Sequence, residues 1–245
     1  MIDAGEELLA TYRRDGVATI RGLFSAELVA QIRVELDRYV ADQLPVKPAD
    51  ACTWEADGTT IRNLWRLERY SDYFQRLAES VPVVGLARRL LASTPVLMGV
   101  ETFNKPAKVG SGVPWHQDNA YFCQSPPNVL TLWVALDRVT PENGPVGFIK
   151  GSHHGGMLPT RQSGVRGNSI GLAEPPQADA EDIYRALLSP GDATVHHCQT
   201  VHSSEGNQTD HRRLALLFVF RGSETQVDPA LQTVYTDAAT ATPPA

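Results

Sequence analysis

Residues 191–221 read GDATVHHCQTVHSSEGNQTDHRRLALLFVFR. The run from Leu214 to Phe220 is apolar throughout, follows two arginines and is only seven residues long, which reads as an apolar strand. Working outward, short β-rich runs bounded by Gly, Pro and Asn recur from residue 95 onward, at 96–104, 113–118, 129–136, 145–149, 192–196 and 213–221. Several short strands with turn signals between them predict a sandwich or barrel. The segment 155–190 is rich in Gly and Pro and too long for a simple hairpin. It is expected to be a lid-like insertion, with a short helix at 179–188.

The first half reads as scaffold. Helical signals cover 4–14 and 25–42, the second opening at Ser25 as N-cap and placing Leu28, Ile32, Leu36, Tyr39 and Val40 on one face. Val17 to Arg21 reads as a short strand, 44–60 as a polar loop, and 81–92 as a further helix. The Ala/Thr/Pro tail at 237–245 is expected to fray. No internal repeat or coiled-coil heptad is seen.

Lys and Arg total 22 against 28 Asp and Glu, a formal net charge of −6. No general positive field is available to hold a phosphate backbone, so a small molecule is the expected partner and nucleic acid is not. The longest apolar run falls far short of the roughly 18 residues that span a bilayer, and the opening MIDAGEELLATYRRDG lacks the apolar stretch of a secretory signal. Three widely spaced cysteines, Cys52, Cys123 and Cys198, argue against a disulfide framework and for a reducing, cytoplasmic setting. Nothing in the sequence sets the oligomeric state.

All seven histidines fall between His116 and His211, in the β-rich half. In His116-Gln117-Asp118 an imidazole and a carboxylate at i and i+2 face one side of an extended strand and can share a cation. Alone the pair is a weak signal, since chance supplies one like it. His202 lies in a second histidine-dense stretch, and Arg213 follows eleven residues later, so the chain can turn and return with a guanidinium pointing inward. An iron site of two His and one carboxylate leaves three coordination positions open. A keto acid fills two of them, with its far carboxylate in an Arg fork and a hydroxyl such as Ser204 or Thr131 beside it. A zinc site from His196, Cys198 and His202 lacks a second Cys/His pair to complete a tetrahedron. His153 and His154 read as loop-bracing, and Cys123 as an inert thiol. For Trp115, Tyr121 and Phe122, core packing and pocket lining both stay open.

The chain resembles the phytanoyl-CoA dioxygenase-like branch of the iron(II)/2-oxoglutarate oxygenases. The resemblance runs from YRRDGVATIRGLFSAELV through NKP (104–106), WHQD (115–118), LWVALDRVTPENGPVGFIKGSH (132–153) and GD (191–192) to the H-S-S-x-x-N-Q-T block ending in Arg213. It implies His116, Asp118 and His202 as ligands of Fe(II), and Arg213 as the anchor of the co-substrate 2-oxoglutarate. It further implies Ser204, Trp133, Thr131 and Met98 as the lining of that subsite, and O2 as the third reactant. His197 matches a position where the family has a non-ligand histidine, expected to pack behind the ligands. Lys105 belongs to the NKP segment without a definite role, Thr60 to Asn63 is a further source of a polar co-substrate contact, and Arg212 is expected on the opposite strand face from Arg213.

The implied fold is mainly β with flanking helices, around a double-stranded β-helix (jelly-roll, cupin-like) core. It forms one oxygenase domain over 1–245, with a helical scaffold at 1–94, the core at 95–222 carrying the 155–190 insertion, and a C-terminal tail at 223–245. The implied activity is hydroxylation of an unactivated C–H bond in a small-molecule metabolite, with decarboxylation of 2-oxoglutarate to succinate. Halogenating relatives lack the carboxylate present here as Asp118, although desaturation, epoxidation and ring formation use the same ligands. The rival class is a non-catalytic cupin-like binder of a metal or small molecule. Substrate determinants are expected on 44–66, on Trp115 to Phe122 and on 155–190.

Overall fold

A computed structural model describes residues 5–108, 111–165 and 167–241. The strand Arg213–Gly222 lies near the middle of a seven-stranded antiparallel sheet. Its order is Val17–Ile20, Ala193–His197, Val129–Ala135, Arg213–Gly222, Pro95–Lys105, Ile61–Leu64 and Cys52–Trp54. A four-stranded sheet, in the order Ile183–Arg185, Val146–Ile149, His202–Ser204 and Val113–His116, makes the second wall. Two antiparallel sheets with crossovers between them form the expected jelly roll.

The unbroken apolar run follows from what covers each face. Leu214, Leu216, Phe218 and Phe220 pack with Ile32, Leu36, Phe74, Leu86 and Leu90 of the N-terminal helices. Ala215 and Leu217 turn the other way, into a smaller cluster with Trp133, Val146 and Phe148 between the sheets. A strand covered on both sides has no solvent face on which to alternate polar residues.

The N-terminal helices include Glu6–Asp15, Ala26–Arg38, Asp72–Ala78 and Val81–Leu91. Ser25 caps the second, its side chain accepting from the Leu28 N–H at 3.3 Å. Gly16 ends the first at φ 74°, and a Cβ there would run into Thr200 and His153. Thr200 Oγ1 donates to the Gly16 carbonyl at 2.8 Å, which ties the scaffold to the loop leading into His202.

Three expectations need correction, for the loop at 44–60, the helix at 179–188 and the tail. Within the expected 44–60 loop, Cys52–Trp54 pairs with Ile61–Leu64 as a hairpin that extends the large sheet. Its turn is held by Asp57, which accepts from the Thr59 and Thr60 N–H groups at 2.9 and 2.8 Å. The expected helix at 179–188 is a single 3-10 turn, Ala180–Asp182, followed by the strand Ile183–Arg185, whose edge pairing with Val146–Ile149 outweighs its helical periodicity. The 155–190 insertion contains a hairpin, Thr160–Val165 with Asn168–Leu172. The tail is a helix over Pro229–Thr240, capped by Asp228 accepting from the Ala230 N–H at 2.8 Å. It packs on that hairpin; residues 242–245 lie outside the described residues.

His197 faces away from the space between the sheets, with its ring centroid 6.5 Å from Tyr12 and 5.3 Å from His153. Its Nδ1 accepts from the Gln199 N–H at 3.1 Å, a bond open only to an unprotonated nitrogen. Burial, reinforced by His153, His196 and His154, pushes its pKa down to about 4 from the ordinary 6.5. A base lowered by folding binds its proton more readily when unfolded. Its contribution to stability is therefore complete above about pH 6.5 and is lost as pH falls toward 4. We expect His197→Gln to reduce the stability lost between pH 7.5 and 4.5 by about 2–3 kcal/mol. Urea midpoints of both proteins at the two pH values measure this, and equal losses would remove His197 as the cause.

Candidate active site

His116 ends the strand Val113–His116, and His202 opens the neighbouring strand His202–Ser204 in direct register with it. Cross-strand pairing thus sets the two rings side by side, with centroids 4.1 Å apart. Each ring is oriented from behind: His116 Nδ1 donates to the Pro114 carbonyl and His202 Nδ1 to the Thr200 carbonyl, both at 2.9 Å. Both Nε2 atoms are then free as ligands. Phe148, fully buried, stacks on His202 at 5.6 Å.

Asp118 reaches the same point by a different route from the one its spacing predicts. The strand stops at His116, and Asp118 is in right-handed helical conformation (φ −57°, ψ −35°) at the start of the short helix Asn119–Phe122. A turn, rather than strand alternation, brings the carboxylate round. Gln117 fixes the turn, its amide donating to the Gly156 and Gln199 carbonyls at 2.8 and 2.7 Å and accepting from the Leu158 N–H at 2.8 Å. Asp118 Oδ1 lies 3.7 Å from His116 Nε2 and 3.5 Å from His202 Nε2. The three ligand atoms lie within 4.8 Å of one another, the one such metal-competent group found among the described residues.

The other carboxylate oxygen is held from the large sheet. Thr131 Oγ1 donates to Asp118 Oδ2 at 2.8 Å and His196 Nε2 at 3.1 Å. Burial works against ionisation of Asp118, but His202, His196 and His116 together outweigh it and hold the carboxyl below the usual carboxylate range. Burial pushes His116 and His202 below the ordinary imidazole value. Two neutral imidazoles and an ionised carboxylate are the donor state a divalent metal needs.

These groups face a cavity of about 980 Å³, counting its open mouth. Arg213, almost fully buried, enters it with its guanidinium 5.0 Å from the Trp133 ring. One terminal nitrogen donates to the Gly144 carbonyl at 2.7 Å, and Nε has no partner among the described residues. Lys105, opposite Arg213 in register, and Arg62 line the same end. Burial lowers Lys105 to about 6, with Arg213 and Arg62 adding to the effect, while Arg62 pairs with buried Glu55 at 3.3 Å. A desolvated cationic end with an orphaned guanidinium N–H fits a carboxylate.

Of the residues singled out in the sequence, His116, Asp118, His202, Arg213, Ser204, Thr131 and Trp133 all line this cavity, as do Tyr121 and Phe122. Met98 does not, and packs instead against Val129, Cys198 and Val219. The histidine behind the ligands is His196 rather than His197, because alternation along Ala193–His197 turns His196 toward Asp118 and His197 toward Tyr12. Cys198 turns its thiol to the Pro127 carbonyl at 3.2 Å, away from any set with His202. Arg212 lies outside, 3.5 Å from Asp137. Arg62 and Glu101 were not singled out. Arg62 falls within 60–63 but carries no local motif, and a lone Glu on a strand gives no sequence signal.

The sequence model of the phytanoyl-CoA dioxygenase (PhyH) family matches residues 12–215. The chain belongs to that family. It is 29% identical over 222 residues to a probable alpha-ketoglutarate-dependent hypophosphite dioxygenase of Stutzerimonas stutzeri, an alignment covering 87% of this chain and 77% of that one. It is 27% identical to the L-proline trans-4-hydroxylase of Streptomyces griseoviridis, covering 89% and 87%. Among solved structures, the epimerase SnoN in complex with Fe3+, alpha ketoglutarate and nogalamycin RO superposes with a TM-score of 0.72 at 29% identity, over 91% of this chain and 86% of that one. This member of the family is an iron- and 2-oxoglutarate-dependent oxidoreductase. No described helix is long and apolar enough to cross a membrane.

Groups that orient a metal ligand typically change metal affinity 10- to 100-fold when removed. We expect Thr131→Val to weaken metal binding by about tenfold. Titration of the metal-free protein with Co(II) measures this, and unchanged affinity would show that His196 alone holds the carboxylate.

Proposed function

We propose that this enzyme hydroxylates an unactivated C–H bond of a small-molecule metabolite. His116, Asp118 and His202 hold Fe(II), and Arg213 anchors 2-oxoglutarate. The observation that carries the reading is the convergence of three metal-competent side chains on the cavity that also receives the orphaned guanidinium. When bound, iron and 2-oxoglutarate supply the oxidation: R–H, O2 and 2-oxoglutarate become R–OH, succinate and CO2.

The chain's own residues bind, orient and exclude. The backbone carbonyls of Pro114 and Thr200 fix the imidazole tautomers, so that neither ligand has to rotate or lose a proton when metal enters. Thr131 and His196 occupy Asp118 Oδ2 and leave Oδ1 as the ligand atom. Trp133 covers the Arg213 guanidinium from the seven-stranded sheet, and Ser204 places a hydroxyl on the facing four-stranded wall of the cavity. Leu217, Val146 and Phe122 give the cavity apolar lining, which limits competing reactions of water near the metal. All three cysteines are free and buried, which supports a reducing compartment.

Asp118→Ala is expected to abolish succinate formation from 2-oxoglutarate in the presence of iron. Wild-type rates from this variant would take Asp118 out of the ligand set. Arg213→Ala removes a charge-assisted anchor worth about 1.5–3 kcal/mol, an increase of roughly 10- to 150-fold in the KM for 2-oxoglutarate. Steady-state kinetics at saturating iron measure it, and an unchanged KM would shift the anchor to Arg62 or Lys105.

A further inference from the structure

Glu101 is the charged group of the cavity that the oxygenase chemistry leaves unused. It projects from the strand Pro95–Lys105 on the face it shares with Phe103 and Lys105, and all three line the cavity. Glu101 and Lys105 stand four residues apart, about 13 Å along an extended strand. Register sets Lys105 against Arg213 and Glu101 against Leu217. The cavity therefore has a cationic end, where the co-substrate belongs, and a separate acidic position.

The other charges are provided for. Arg62 pairs with Glu55, Lys105 donates to the Ser111 carbonyl at 2.5 Å, and Asp118 is held by Thr131 and His196. Nearby Glu68 accepts from the Val100 N–H at 2.7 Å and pairs with Arg69 at 3.3 Å. Glu101 has neither a hydrogen bond nor an ion pair among the described residues. Its carboxylate opens on the cavity without a protein partner, so whatever occupies the cavity has to match it, and a cation placed there supplies the missing charge-assisted hydrogen bonds. Trp65, Phe103, Tyr121 and Phe122 supply aromatic walls in the same cavity, which favour a cation as well.

We propose that the substrate carries a protonated amine, an ammonium group, that docks against Glu101 and so fixes which carbon faces the metal. This deepens the oxygenase reading and rests on it for the identity of the cavity.

The test reads binding as well as turnover. The purified full chain, loaded with 2-oxoglutarate and Zn(II) in place of iron, is screened by thermal shift against the L-amino acids, the amines that correspond to them, and the N-acetyl derivative of each. Amines are expected to raise the Tm where their N-acetyl counterparts, which keep the skeleton and lose the charge, do not. Glu101→Gln should weaken the binding of the best amine at least tenfold. Glu101→Asp, which keeps the charge, should restore part of that loss, so a folding defect is told apart from a charge effect. With iron, the same amine should stimulate succinate formation. Tighter binding of N-acetyl compounds would overturn the proposal in favour of a neutral acid donating to a carbonyl. A best ligand indifferent to Glu101→Gln, or no stabilisation by any amine, would overturn it as well. Failure of the wild type to convert 2-oxoglutarate with iron would instead count against the oxygenase assignment, and the binding arm still decides the role of Glu101.

Discussion

A carboxylate buried in a protein interior costs several kcal/mol unless neighbouring groups compensate it, and the Asp118 carboxylate is compensated from both sheets at once. Thr131 and His196, on adjacent strands of the seven-stranded sheet, take Oδ2. Oδ1 is left facing His116 and His202, which are paired across neighbouring strands of the four-stranded sheet. One side chain therefore ties the two walls together at the point where a metal is to be held. Loss of register in either sheet would move one set of partners by a residue and turn them to the opposite face.

Around that point the cavity separates its charges by strand geometry. Arg213 and Lys105 are cross-strand neighbours at one end, and Glu101 lies two alternations further along the same strand as Lys105. Phe103 stands between Glu101 and Lys105 on that strand, and Trp133 and Leu217 are level with Glu101 in register. Such a layout offers two differently charged positions in one cavity, each with its own protein groups. The helix Pro229–Thr240 adds a wall from outside, with Tyr235 against Tyr121, which itself meets the His116 ring edge to face. The far end of the chain thus contributes to the surroundings of the metal position.

Legibility in the sequence followed the range of the interaction. The strand at 213–221 was readable because burial on both faces leaves a continuous apolar run, those at 96–104 and 129–136 because turn residues bound short β-rich runs, and Ser25 marked its helix because a cap is a local bond. The ligand set and Arg213 were recognisable from the order of several motifs, although each motif alone was weak. The hairpin at 52–64 was missed because its strands, Cys52–Trp54 and Ile61–Leu64, are too short to show a period, and the strand Ile183–Arg185 because its partner Val146–Ile149 is distant in sequence. The helix at 229–240 looked like a tail because Ala, Thr and Pro carry little periodic signal. Met98 was placed in the co-substrate subsite by resemblance, yet it packs into a separate apolar cluster with Val129 and Val219.

The sequence by itself determined the identity of the chemistry: two imidazoles, a carboxylate and a guanidinium, in an order that resembles one family, on short β-rich runs that predict a sandwich or barrel. Tertiary structure alone decided which histidine stands behind Asp118, how a turn rather than strand alternation delivers that carboxylate, and that Glu101 faces the cavity unpaired. These are outcomes of register and of contacts between residues up to a hundred or so positions apart, and no local pattern encodes a partner that only packing brings near.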